Sequence, residues 1–308
     1  MRGVCAIIGC LGESADGRSS IDTTKRYKLR AFTDHPRDWR GNLYVYPVIS
    51  RRSGGLSVGV NLNPDAACNF DCVYCQVDRT QPPRVRTVEL DRLRDELDQM
   101  LSWVADGSIY GHPQFVDVPD ELKRINDIAF SGDGEPTASP VFRESVELAA
   151  GLKAKWSMDA VKIVLITNAC YLARPKVAAA LESMGGNNGE IWAKLDAGTE
   201  EYYRAVNRAN LPLQHVVDMI TAAAQARSVC IQSLWMRLHG QPPADAEVLA
   251  FADRLGQITA AGGGISKVQV YTVARQPTES YVGPLSGDEL EAIADTVRRR
   301  TGLHTITY

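Results

Sequence analysis

A chain of 308 residues, 44% hydrophobic and 23% charged, can bury a sizeable core as one large α/β domain or two small ones. Its formal net charge of -3 excludes a whole-chain electrostatic drive toward nucleic acid or membrane. No apolar run approaches the roughly 20 residues that span a bilayer, and residues 4–8, before Gly9-Cys10, fall short of the ~7 to 15 of a signal-peptide core. A cytoplasmic protein without a membrane partner is expected.

Residues 1–29 show no sustained period and carry a Gly-, Ser- and Asp-rich stretch at 12–20, which predicts a poorly ordered extension ahead of one domain over 30–308. From Thr24 to Arg52 the chain holds Lys25, Arg26, Lys28, Arg30, Arg37, Arg40, Arg51 and Arg52 against Asp34 and Asp38. Such a segment reads as a solvated arm or as a positive rim for an acidic partner or anionic substrate. Short Val- and Ile-rich runs then alternate with helix-period segments, the pattern of βα units around a parallel sheet. Strands are predicted over 56–62, 127–130, 162–167, 191–195, 229–236 and 267–273, with a last short one over 304–308. Leu90, Leu93, Leu97, Met100 and Leu101 recur at helical spacing, and 177–184, 215–226 and 246–258 fill other crossovers. Ser286 with Glu289 makes a capping box before Leu290, Ile293 and Val297, and Gly302 is a stop. Six strands followed by helices make the fold class α/β, an incomplete (β/α)6 TIM-like barrel.

The chemistry concentrates in the run Cys68-Asn69-Phe70-Asp71-Cys72-Val73-Tyr74-Cys75, just after the first predicted strand. Thiolates are soft ligands for iron-sulfur clusters, and three from one loop leave one iron of a cubane open to a small molecule. A structural zinc site normally takes four Cys or His ligands, and a disulfide framework belongs to small secreted chains, not to one with seven cysteines in 308 residues. Cys170 and Cys230 read as small buried hydrophobes, with Cys170 alternatively a hydrogen donor beside the site. The five histidines have no metal-ligand spacing; His239, near a predicted strand end, is the one to test.

In a parallel barrel functional groups follow the carboxyl ends of strands. The second predicted strand runs into Ser131-Gly132-Asp133-Gly134-Glu135-Pro136-Thr137, the third ends in Thr167-Asn168-Ala169-Cys170, and the fourth in Lys194-Leu195-Asp196-Ala197. Lys194 and Asp196 could contact a cofactor or form an internal ion pair. The fifth and sixth carry Gln232, Ser233 and Arg237, then Gln269, Tyr271 and Arg275.

Cys-x3-Cys-x2-Cys with an aromatic before the last cysteine resembles the signature loop of the radical S-adenosylmethionine (radical SAM) superfamily. The Gly132 to Glu135 turn resembles its glycine-glutamate motif, and Thr167-Asn168-Ala169 its Thr-Asn-Gly element with alanine for glycine. The resemblance implies that Cys68, Cys72 and Cys75 bind a [4Fe–4S] cluster whose open iron chelates S-adenosylmethionine. Tyr74 would then lie near adenine, Gly132, Gly134 and Glu135 hold the amino group, and Asn168, Lys194 and Asp196 make further cofactor contacts. It also implies reductive cleavage to a 5′-deoxyadenosyl radical, an external electron donor of flavodoxin or ferredoxin type, and a small-molecule or peptide substrate. Segments 61–79, 130–137 and 268–275 look like an iron-sulfur oxidoreductase branch related to wyosine-tRNA synthases, which makes a tRNA base the alternative substrate. A protein-activating enzyme that installs a glycyl radical and a non-catalytic zinc or iron-sulfur sensing module are the remaining alternatives. The residue that donates or takes the substrate hydrogen is not legible.

Overall fold

The computed structural model describes residues 39–275 and 277–308. The extension expected over 1–29 and the basic residues up to Arg37 lie outside the described residues. In chain order the elements are β1 (Val45–Ser50), β2 (Gly55–Val60), α1 (Leu90–Ala105), β3 (Ile125–Phe130), α2 (Phe142–Lys155), β4 (Lys162–Thr167), α3 (Pro175–Gly185) and β5 (Gly189–Lys194). There follow α4 (Glu200–Asn207), α5 (Leu213–Ala226), β6 (Val229–Leu234), β7 (Arg237–Leu238), α6 (Asp245–Ala260), β8 (Ile265–Tyr271), β9 (Val282–Gly283), α7 (Gly287–Thr301) and β10 (Thr305–Thr307).

The main sheet runs β1-β2-β3-β4-β5-β6-β8-β10, parallel throughout except for β1, which pairs antiparallel with β2. The six strands expected from sequence are therefore consecutive neighbours, and a helix fills each crossover between them. Among the described residues no pairing joins β10 to β1, so the barrel is incomplete. The last predicted strand shortens to three residues, and Arg237, expected at the end of the fifth strand, belongs instead to β7, which pairs with β9 in a small separate sheet. In α7 both halves of the Ser286–Glu289 capping box form, and Gly302 closes the helix at φ 71°.

Side chains alternate between two faces of a strand, so register assigns the faces. Val58, Ile128, Ile163, Leu165, Ile191, Ile231 and Val268 belong to the main core cluster shared with the helices. The opposite face carries two rows of register partners, Gly59, Ala129 and Val164 across β2 to β4, and Ile166, Trp192 and Cys230 across β4 to β6. Ala129, Val164, Trp192 and Cys230 make a separate small apolar cluster there. Gly59 is obligatory because the ring of Tyr46 on β1 lies where a Cβ would stand.

β1 is the element sequence reading left out. Pro47 within it has no N–H to give a ladder, which lowers its strand signal. What holds it is Glu96 on α1, 6% exposed, whose carboxylate accepts the backbone N–H groups of Leu43 at 2.8 Å, Tyr44 at 2.8 Å and Val45 at 3.2 Å. Arg92 Nε, one turn away, donates to the same carboxylate at 2.9 Å. Replacing Glu96 by Ala leaves three backbone donors without their acceptor, and the expected cost is about 2–4 kcal/mol in urea unfolding. A loss below about 1 kcal/mol would mean that water or another acceptor replaces the carboxylate.

Candidate active site

The cysteine loop is pinned at several points before any ligand is considered. Val73 N donates to Val206 O at 2.9 Å and Asp71 N to Asn207 O at 3.2 Å, tying the loop to the end of α4. Phe70 packs edge-on against Tyr203 of the same helix, and Val73 is fully buried. On the other side Thr278 N and its hydroxyl donate to the Cys75 carbonyl at 3.3 and 3.2 Å. Helix α4 was not expected, although Thr199 followed by Glu200 and Glu201 is an N-terminal signal; the Thr199 hydroxyl accepts from Tyr202 N.

All three cysteines are free, half-buried and line one cavity of about 380 Å³ at the carboxyl ends of the strands. Burial pushes the Cys68 thiol up, and burial together with nearby Asp196 pushes Cys72 up to about 12. Arg79 sits over the third, with Nη1 3.4 Å from Cys75 Sγ and Nε donating to Ala66 O at 3.1 Å. Cys170 and Cys230 are buried, and burial raises both thiols to about 12; neither lines the cavity. The His239 ring stacks on Tyr281 at 4.4 Å, outside the cavity lining.

Gly132, Gly134, Glu135 and Asn168 line the same cavity. The two glycines answer to packing: a Cβ on Gly132 would run into the Asn61 side chain, and one on Gly134 into the Ala67 carbonyl and Asn63. The turn is thus the seat on which the segment leading into Cys68 rests. Glu135, 2% exposed, is a brace between strand ends. Its carboxylate accepts from Thr137 N at 3.1 Å, the Thr137 hydroxyl, Thr167 Oγ1 at 2.6 Å and Asn168 N at 2.7 Å. Burial pushes the carboxyl up, and these donors offset only part of that. Asn168 extends the brace by donating from Nδ2 to Asn69 Oδ1, in the cysteine loop, at 2.7 Å. Ala169 adopts φ 68°, the left-handed region where glycine is the unstrained residue.

Lys194 and Asp196 form a pair at 3.3 Å, so the internal pairing anticipated as an alternative is present. Asp196, 2% exposed, also accepts from Leu234 N at 2.9 Å, Asn207 Nδ2 at 3.0 Å and the Tyr74 hydroxyl at 2.5 Å. It does not line the cavity, whereas Lys194 and Tyr74 do. The Lys194 ammonium stands 4.9 Å from the Tyr74 ring centre and donates to the Tyr271 hydroxyl at 3.0 Å. Burial opposes its charge, but Asp196 and Tyr271 outweigh burial and hold the ammonium above its ordinary range. Asn207 Nδ2 also lies 3.5 Å from Cys72 Sγ. Sequence reading missed Asn207, Asn69 and Arg79, whose roles come from long-range closure and carry no local motif.

Deeper in the lumen Asp127 lines the cavity and accepts from the Ser57 hydroxyl. Burial pushes its carboxyl up to about 6. The residues present fit an iron-sulfur cluster with a small polar cofactor, since three soft thiol ligands line one cavity beside a glycine turn. Among the described residues no three His, Cys, Asp or Glu side chains are arranged around a single metal ion; a cubane asks each thiolate for a separate iron and needs no such convergence.

Two outcomes follow for measurement. Gly134→Ala should cost about 1–3 kcal/mol through overpacking against the loop backbone, and far more accessible thiols should appear in a timed thiol-labelling assay; unchanged stability and labelling would show that the loop does not rest on this turn. For Asp127 the folded pKa lies above the ordinary unfolded value near 3.9, so the native state holds an extra proton between about pH 4 and 6, and stability from this group is lost as pH rises through 6. The stability of Asp127→Asn relative to wild type should therefore grow by about 2–3 kcal/mol between pH 4 and pH 7 in urea unfolding, and a pH-independent difference would refute the assignment.

Comparison with known proteins bears on the family. The family description for the radical SAM superfamily matches residues 62–252, more than half of the chain. The UPF0026 protein MJ1312 of Methanocaldococcus jannaschii is 24% identical over 245 residues, 77% of this chain and 65% of that protein. A protein named GTPase Obg from Brachyspira hyodysenteriae is 22% identical over 195 residues, 62% of this chain and 24% of its own length. The chain thus spans less than two thirds of either relative. A solved TYW1 structure with a lysine-pyruvate adduct bound is 14% identical, covering 91% of this chain and 82% of that one with a TM-score of 0.49, a distance at which the likeness carries no weight. The cysteine loop and the matched span together place the chain in the radical SAM superfamily, a class of enzymes that work with S-adenosylmethionine and an iron-sulfur cluster.

Proposed function

We propose that this enzyme binds a [4Fe–4S] cluster through Cys68, Cys72 and Cys75 and S-adenosylmethionine at the open iron, and acts on a small-molecule or peptide substrate with electrons from a flavodoxin- or ferredoxin-type donor. The single observation that carries the reading is that the three thiols and the Gly132 to Glu135 turn line one cavity at the strand ends. Held by Cys68, Cys72 and Cys75 beside the Gly132 to Glu135 turn, the cluster and cofactor would supply one-electron reductive radical chemistry for hydrogen abstraction from the substrate.

The chain's own residues prepare that cavity. The turn backbone offers polar groups to the methionine end, and Glu135, tied to four donors, fixes where that backbone stands. Tyr74 is held by Asp196 through its hydroxyl, which sets the ring at the cavity wall where an adenine can stack. Lys194 supplies a positive charge on the same wall for a carboxylate or ribose oxygen. Its ammonium is kept ionised by Asp196. Asn207 donates toward Cys72 and Asp196 together, so the loop and its supporting carboxylate share one anchor. No helix among the described residues is long and apolar enough to cross a membrane. A cytoplasmic setting suits the oxygen-sensitive cluster of this reading.

Anaerobically prepared protein should contain iron and sulfide in cubane proportion and release 5′-deoxyadenosine from S-adenosylmethionine only with a strong reductant such as dithionite. Cys72→Ala should abolish both the cluster spectrum and the release. A fully loaded cluster with no cleavage, or zinc at unit stoichiometry in place of iron, would defeat the reading.

A further inference from the structure

The cavity continues past the cysteine loop toward the turn that joins β1 to β2, where Arg51 and Arg52 line it. Among the described residues its wall also carries Arg79, Lys194 and Arg275, with two carboxylate side chains, Asp127 and Glu135. Most of these charges are already engaged. Glu135 is tied to its donors, Arg79 to Ala66 and Cys75, and Lys194 to Asp196. Arg52 differs: half-buried, it makes no ion pair among the described residues, and its guanidinium lies 4.7 Å from the centre of the Tyr271 ring. The hydroxyl of the same tyrosine accepts from Lys194. Tyr271 therefore meets both cations, Lys194 through its hydroxyl and Arg52 over its ring. A stacked guanidinium keeps its planar donor fork free for a carboxylate or phosphate, the geometry in which arginine outperforms lysine.

We propose that Arg52, presented by the β1–β2 turn and laid on Tyr271, binds an oxyanion of the substrate, so that the substrate class is a molecule bearing a carboxylate or phosphate. The inference rests on the radical SAM reading for the identity of the cavity. The basic segment seen in the sequence thereby divides: its last two arginines face the lumen, while Arg40 covers the Trp39 and Trp103 rings at 5.4 and 4.8 Å.

The test uses the full cluster-loaded chain in equilibrium dialysis against inorganic phosphate and, separately, acetate. Saturable binding of one probe at one per chain is expected, with phosphate or acetate identifying which anion the site takes. Arg52→Gln should weaken that binding by about tenfold or more, and Arg52→Lys should retain part of it because charge remains while the fork is lost. Should Arg52→Gln fold poorly, phenylglyoxal modification of Arg52 in the wild-type chain, read by peptide mass spectrometry, should slow when the bound probe is present. No saturable binding of either probe, equal binding by Arg52→Gln, or unprotected Arg52 would overturn the inference. Reductant-dependent release of 5′-deoxyadenosine by the wild-type chain is scored separately. Cleavage without anion binding sinks this inference alone, whereas Arg52-dependent binding without cleavage leaves an anion site but overturns its assignment to a substrate together with the enzyme reading.

Discussion

Glu135 is the constraint on which the site depends. Among the described residues this buried carboxylate has no ion-pair partner and is satisfied by hydrogen-bond donors from its own turn and from the end of β4. Satisfying that charge locks two neighbouring strand ends at one relative height. Asn168 then carries the constraint to the cysteine loop through Asn69, and the glycines let the loop's leading segment lie directly on the turn. The loop is held by a polar brace on one side and by α4 on the other.

A second buried carboxylate, Asp196, does the same work across the cavity. It gathers Lys194, Tyr74, Asn207 and the Leu234 amide, which come from β5, the cysteine loop, α4 and the end of β6. Removing one partner from such a network leaves the rest underpaired in a low-dielectric interior, so the cost falls on geometry as much as on stability. The site is thus organised as two acidic nodes, each surrounded by donors, flanking three sulfur atoms.

The parallel strands were legible because strands buried on both faces read as continuous Val- and Ile-rich runs, and the cysteine loop and glycine turn because their chemistry is compact in sequence. Other features were not. β1 is interrupted by Pro47, and the amides that lead into it, at Leu43, Tyr44 and Val45, find their acceptor in Glu96, some fifty residues away. Helix α4 is only eight residues long, too short for periodicity to declare itself. The sequence allowed Lys194 and Asp196 either a mutual pairing or an outward role, and only tertiary closure shows that Asp196 is fully engaged while Lys194 still reaches the cavity. Ala169 departs from glycine yet keeps the left-handed backbone, so the turn survives the substitution at a local conformational cost.

An unclosed sheet has two flanks, each a potential template for another chain. Among the described residues one flank is a strand containing Pro47, which cannot donate a ladder hydrogen bond, and the other is only three residues long. Neither gives an incoming strand a regular row of partners. Among the described residues both rims of the open barrel are therefore poor templates for a further strand, and the lumen stays open between them.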